Sequence, residues 1–358
     1  MGKIPFVDFM ARALYDPDTG FYGSGRVSFG PRGDFTTSPH LSRVFSRCLA
    51  AFVVSADTEM GFPEPFALTE GGPGEGLLAG EILDELECAS PDLYRRLVYV
   101  ADEISRPLTL RQMEALKKHA AKVSVKPMQG MEGLYFSNEL LDAFPVRVFE
   151  KRGGAIFELY VEDEGGVFKE RWEALPSESI LPSVRNIVRY HAGEEEPFRF
   201  EIRPTLPEWL KNTAGNMKRG YVLTIDYGDV AQKLYGPHKP EGTLRGFKNG
   251  EFAEQLLNDP GSTDLTASVD FAELIDLGKN LGLFNSPLHN QREFLFHAGL
   301  ERIAAQIEEH LESEAERYSA RQELWPLLFP GTGMGESFKV LIQGKNVSIP
   351  QGFDSSAD

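Results

Sequence analysis

The stretch Leu68-Thr69-Glu70-Gly71-Gly72-Pro73-Gly74-Glu75-Gly76 follows a short apolar run, Phe66-Ala67-Leu68-Thr69, and precedes a helical pattern over about 77–88. Glycines between a strand and a helix let the backbone turn tightly. They also let a ligand approach where Cβ atoms would block it. The same rhythm continues outward from this loop. Leu97–Ala101 reads as the next strand and ends in Asp102-Glu103. A helix around 107–120 and a weak strand at Lys122–Val125 follow. Gly133–Ser137 then leads into Asn138-Glu139, and Tyr221–Ile225 ends in Asp226. Strands alternating with helices predict an α/β fold whose parallel sheet is covered on both faces.

The glycine spacing is Gly72-x-Gly74-x-Gly76, not the Gly-x-Gly-x-x-Gly of most dinucleotide folds. The Lys-Ser/Thr ending of a nucleotide triphosphate loop is also missing. Glu70, just before the glycines, would repel a pyrophosphate. It suits a ligand with an ammonium and a sulfonium, such as S-adenosylmethionine. The bland alternative is a tight turn with no ligand. At the next strand end, Asp102 or Glu103 can accept hydrogen bonds from ribose hydroxyls. The stretch Ser137–Val146 starts where open α/β sheets place their ligands. If Leu140–Ala143 is helical, Glu139 and Asp142 share a face and can hold a cation between them. The alternative there is a capped helix with two exposed acids.

The flanking segments read differently. Phe6, Phe9, Met10, Ala13 and Leu14 fall on one side of a short amphipathic helix, which stops at a turn cluster, Asp16–Gly20. Glycine-rich loops at Gly20–Gly25 and Gly33–Pro39 lead to a helix at about 41–54. Residues 146–173 predict an antiparallel meander with turns at Gly153-Gly154 and Gly165-Gly166. Leu300–Leu324 predicts one long helix and Ser337–Gln343 a closing strand. The expected organisation is a helical cap with active-site loops over 1–62, a cofactor half over 63–145, an insertion with the meander over 146–218, a second core half over 219–345, and a disordered tail over 346–358.

Composition excludes several classes. The 37 Lys and Arg against 54 Asp and Glu give a net charge of −17, which argues against nucleic acid as partner. Cys48 and Cys88 fit neither a disulfide framework nor a zinc site, and are expected to pack in a reducing compartment. No Cys/His ligand cluster appears, so no metal is expected. No run of about 18 apolar residues occurs, and the N-terminus has no signal or transit pattern. The expectation is a cytoplasmic protein, without membrane partners.

Taken together, the motifs resemble the MidA-type S-adenosylmethionine-dependent methyltransferases, the group that includes the mitochondrial complex I assembly methyltransferase. The resemblance rests on Ala13-Leu14-Tyr15 with Gly20-Phe21-Tyr22, Gly33–Pro39, Glu70–Gly76 and Ser137–Val146. It continues through Ile225–Gly228, Gly242–Arg245, Asp264–Ala267 with Val269–Phe271, and Gln291 with Phe294-Leu295. It implies a class I (Rossmann-like) methyltransferase sheet with an N-terminal helical cap and an antiparallel β insertion after the fourth strand. It also implies S-adenosylmethionine as cofactor and methylation of protein arginine. By the same resemblance Glu70, Gly72, Gly74 and Gly76 match the cofactor loop. Glu103 matches the family's strand-end acid better than Asp102, and Asn138-Glu139 match the family's pair at the active-site edge. This sequence departs from the family at Gly71, Glu75, His40 and Ser268, which puts the substrate in question more than the cofactor.

Methyl transfer is an in-line displacement, and orienting the reactants supplies much of its rate. A guanidinium acceptor needs carboxylates to hold it. Glu139 is the first candidate, with Asp142 or Asp226 as the second, although Asp226 could equally be a structural acid at the fifth strand end. Phe21 and Tyr22, with Asp34, Thr36 and His40, are candidates for the substrate side; the two aromatics could equally be ordinary packing of the N-terminal helix. The expected partner is a protein substrate, with a homodimer left open. Rival readings are a silent cofactor-binding assembly factor, a small-molecule methyltransferase and a dinucleotide oxidoreductase.

Overall fold

A computed structural model describes residues 2–27, 43–126, 128–191, 196–248, 250–328 and 334–355. The expected substrate-side residues Asp34, Thr36 and His40 lie outside the described residues.

Phe66–Gly71 (β1) is buried at every position, as a central parallel strand covered on both faces must be. It lies between Leu97–Asp102 (β2) and Met131–Asn138 (β4), parallel to both. Val123–Ser124 (β3) pairs beyond β2, and Met217–Asp229 (β5) beyond β4. The closing strand Phe338–Lys345 (β6) runs antiparallel to β5. From β1 the chain builds outward through β2 and β3, and from β4 it builds the other way. The carboxyl ends of β1 and β4 therefore form the topological switch point, where ligands bind in open α/β sheets.

Side chains alternate between the two faces of each strand. One face carries Phe66, Tyr99, Phe136 and Tyr221 and packs on the helices Arg43–Glu59 (α2) and Leu77–Ala89 (α3). The other carries Ala67, Tyr135 and Val222 and packs on Leu206–Asn216 (α5) and Phe271–Asn280 (α6). The Asp270 carboxylate caps α6 by accepting from the amides of Ala272 and Glu273.

The cap helix Phe6–Tyr15 (α1) buries the predicted apolar side against the meander. The meander strands Arg147–Arg152, Ala155–Asp163 and Phe168–Ala174 are joined by Phe198–Ile202 on one edge and by Ile4–Pro5 beside Ala155–Asp163.

Three expectations are corrected. Residues 300–324 are not one helix: Leu300–Glu309 and Glu314–Leu328 are separate. The Ser313 hydroxyl accepts from the Glu316 amide, while the Glu316 carboxylate accepts from the Ser313 amide, a capping box that starts a new helix. The tail is not wholly disordered, because Phe353 packs edge-on against Phe52 and its carbonyl accepts from His289. Cys48 is buried as expected, but Cys88 is exposed.

Candidate active site

The Gly72–Gly76 turn is built on left-handed backbone, with φ of +64° at Gly72, +55° at Gly74 and +82° at Gly76. These values are nearly free only for glycine. The turn ends at α3, whose first residues Leu77 and Leu78 face a cavity of about 880 Å³ at the switch point. Gly72, Gly74 and Glu70 line this cavity with Asn138, Glu139 and Asp142 from the β4 end. Gly76 does not; it opens the helix. Eight carboxylate side chains line the cavity, and no Lys, Arg or His does among the described residues. Such a surface attracts cations.

Glu70 is buried, and its Oε2 accepts from the Tyr99 hydroxyl at 2.7 Å. Burial pushes its carboxyl up to about 7, against the pull of the Tyr99 hydrogen bond. The acid pair after β2 divides. Asp102 accepts from the Tyr135 hydroxyl at 3.0 Å on β4. Glu103 turns to the helix Arg106–Ala115 (α4), accepting from the Ser105 amide at 2.8 Å and the Gln112 side chain at 3.3 Å. Burial raises the Glu103 carboxyl above its ordinary range.

Residues 139–144 are a turn, not the helix that would put Glu139 and Asp142 on one face. Both acids nevertheless line the cavity. Glu139 has φ +55°, a conformation that costs a non-glycine residue about 1–3 kcal/mol and needs support from its surroundings. The support is visible. The Glu139 amide donates to the Ile225 carbonyl at 3.0 Å. Asp226 Oδ2 accepts from the amides of Leu141 at 2.8 Å and Asp142 at 3.2 Å, and its Oδ1 accepts from Tyr227 N. Asp226 is fully buried behind the turn and does not line the cavity. Of the two readings of Asp226, its burial favours the structural acid at the strand end over contact with an acceptor. Burial, reinforced by Asp142, raises its carboxyl well above the ordinary range. Glu139 is hydrogen bonded to the Tyr227 phenol and accepts from Asn138 Nδ2 at 3.2 Å.

Of the two cap aromatics, Tyr22 lines the cavity, but Phe21 does not. Phe21 is buried in the core under the cap and meets Tyr22 edge-on at 5.0 Å. Several lining residues lay outside the site predicted from sequence. Tyr15 belongs to a recognised motif but had no assigned role. Asp264 and Thr266 alternate within a short strand, Asp264–Thr266, the spacing that points both to one side. Arg203, which lies behind the cavity wall rather than on it, belongs to no motif that singles it out in the sequence. It is buried and donates to the carbonyls of Leu141, Ser268 and Ala267, tying the Glu139–Asp142 turn to the 264–268 segment.

Two buried oxygens in this wall, Asn138 Oδ1 and Asp142 Oδ1, have no hydrogen-bond donor among the described residues. Orphaned buried acceptors in a cavity wall call for a donor from water or from a ligand. With the glycine cradle and the carboxylates, they fit a cationic ligand that also carries hydroxyl and amine donors.

Residues 48–286 match the family described as "Putative S-adenosyl-L-methionine-dependent methyltransferase". The chain belongs to that family. It is 29% identical to the mitochondrial protein arginine methyltransferase NDUFAF7 homolog of Drosophila melanogaster, over 75% of this chain and 65% of the fly protein. To mouse NDUFAF7 it is 28% identical over 94% of this chain and 80% of that protein. A crystal structure from Burkholderia thailandensis, bound to S-adenosyl-homocysteine, superposes with a TM-score of 0.86 at 27% identity. That match covers 99% of this chain and 89% of the other. The named relatives are mitochondrial, which gives the cytoplasmic expectation no support. Among the described residues no helix is long and apolar enough to cross a membrane.

Proposed function

We propose that this S-adenosylmethionine-dependent methyltransferase transfers its methyl group to an arginine side chain of a protein. One observation carries the reading: a cavity with eight carboxylates and no lining cation among the described residues favours a cationic acceptor beside a cationic cofactor. A carboxylate acceptor would be repelled there. The names of the relatives point the same way.

In this reading the Gly72–Gly76 turn and Glu70 hold the amino-acid end of the cofactor, and Glu103 accepts from its ribose. The cofactor supplies a sulfonium methyl group. Glu139 and Asp142 hold the guanidinium so that one nitrogen faces that methyl, which is where orientation lowers the barrier. As the N–CH₃ bond forms and the S–CH₃ bond breaks, a guanidinium proton becomes acidic, and a neighbouring carboxylate accepts it. Tyr227, Asn138 and Asp226 fix the carboxylates, so little reorganisation accompanies transfer.

The test is Glu139→Gln, which removes charge near the acceptor and leaves the glycine turn intact. Its expected result is unchanged calorimetric affinity for S-adenosyl-homocysteine with methyl transfer into extract proteins lowered at least about a hundredfold. Wild-type transfer by this variant refutes Glu139 as the acceptor clamp. Methylation of small neutral metabolites, and of no protein, refutes the arginine reading.

A further inference from the structure

Between the cap and the Asp264–Thr266 strand lies a row of side chains of which the methyl-transfer reading uses only Asp142. The Thr266 hydroxyl donates to Asp142 Oδ2 at 2.9 Å. Asp264, two residues earlier, projects from the same face of the strand, and its Oδ1 accepts from the Tyr22 hydroxyl at 2.8 Å. The Ala267 amide donates to the Asp142 carbonyl at 3.1 Å and fixes the strand against the β4 turn. Tyr22, Asp264, Thr266 and Asp142 thus stand in one line on the cavity wall. The Tyr15 ring stacks on Tyr22 at 6.0 Å with 24° between planes, and its hydroxyl donates to the Ala143 carbonyl at 2.8 Å.

We infer that this row is a slot for a planar cation, in which Asp142 and Asp264 hold the two edges of a guanidinium beside the Tyr15–Tyr22 stack, so that the cap selects arginine over lysine. The inference rests on the acceptor reading above and extends it to the residues that set specificity.

Asp142 is 7% exposed, yet its Oδ1 meets no donor among the described residues while the residue lines the cavity. A buried carboxylate oxygen left without a donor is costly, and a ligand N–H removes that cost. Arg203 lies behind Asp142, but it spends its donors on backbone carbonyls rather than on Oδ1. Burial, with Asp142 and Asp264 adding to it, raises the hydroxyls of both tyrosines, so they stay neutral donors. A guanidinium matches this arrangement. Its N–H groups lie in one plane, pair bidentately with carboxylates, and leave a flat face to stack on a ring. An ammonium has no such plane and is more strongly hydrated, so it gains less from the same walls.

The experiment uses the full chain saturated with S-adenosyl-homocysteine. Dissociation constants for Nα-acetylarginine amide and Nα-acetyllysine amide are measured by NMR titration. The arginine amide is expected to bind about tenfold or more tightly than the lysine amide, and Asp264→Asn to remove about tenfold of that advantage with S-adenosyl-homocysteine affinity unchanged. Tyr22→Phe keeps the ring while releasing Asp264, and should lose less. If Asp264→Asn no longer binds S-adenosyl-homocysteine, Thr266→Val replaces it; freeing Asp142 Oδ2 should likewise narrow the preference for arginine. Equal binding of the two amides, failure of both to bind, or wild-type preference in these variants overturns the slot. Residue analysis of labelled extract proteins separates this failure from the broader one. Methylarginine formed without a slot leaves the proposed function standing, whereas label on another residue type removes both.

Discussion

Replacing each of the two acids after β2 in turn tests how the cofactor is read. Glu103→Ala removes the carboxylate assigned to the ribose, and Asp102→Ala removes its neighbour. A hydrogen bond to a charged group is worth about 1.5–3 kcal/mol. On the affinity scale this predicts a loss of about tenfold to a hundredfold for Glu103→Ala. Two side effects follow from the structure. The Ser105 amide and the Gln112 side chain lose an acceptor, so folding stability should fall by about 1–3 kcal/mol. Calorimetry with S-adenosyl-homocysteine is therefore run well below the unfolding transition of the variant. Asp102→Ala releases the Tyr135 hydroxyl on β4 and leaves the Glu103 contacts untouched, so its affinity should change much less. The pH dependence gives a second readout. Burial holds the Glu103 carboxyl above its ordinary range, and a ribose hydroxyl makes its stronger, charge-assisted bond with the ionised form. Affinity should rise with pH through that range in the wild type and lose this component in Glu103→Ala. A larger loss for Asp102→Ala than for Glu103→Ala refutes the reasoning and moves the ribose to the Tyr135 side of the sheet.

Glu70 adds a pH effect near neutrality. A cofactor ammonium needs the carboxylate, and the empty site holds a proton up to about pH 7, so affinity should fall about tenfold per unit below that value and level off above it. The sign for the free protein is opposite: the folded pKa is raised above the unfolded one, so stability from this group is present at low pH and lost as pH rises through about 7, seen as a falling melting temperature. Gly74→Val places a branched side chain at φ +55° in the turn and should abolish S-adenosyl-homocysteine binding; calorimetry at wild-type affinity would show that the cradle is not there. Arg203→Met takes a donor from three buried carbonyls and a cation from beside the buried Asp142 and Asp226, and should cost about 3–5 kcal/mol, a drop of about 4–7 °C in calorimetric melting. An unchanged melting temperature would show that Arg203 does not brace the turn.

The sheet, the glycine turn and the strand-end acids were legible because their signals are local. An apolar run, a glycine cluster and an acid at fixed offsets each obey a period or a backbone rule that needs no partner. Glu70, Gly72, Gly74, Glu103, Asn138 and Glu139 all line or shape the cavity for that reason. Helix ends were less legible: the Ser313–Glu316 box is a local signal, but the acidic run around it reads as continuous helix.

Tertiary structure alone decided what each acid does. Asp226 and Glu139 both follow apolar strands, yet one is sealed behind the turn by three backbone amides and the other faces the cavity. Phe21 and Tyr22 are neighbours in sequence, and only the docking of α1 on the meander sends one into the core and the other to the wall. Tyr22 and Asp264 are separated by 242 positions, and Arg203 meets carbonyls 62 to 65 positions away. A sequence carries the chemical type of each side chain and the period of its burial. Which charges converge on one cavity, and which are spent on backbone groups, depends on how distant segments pack.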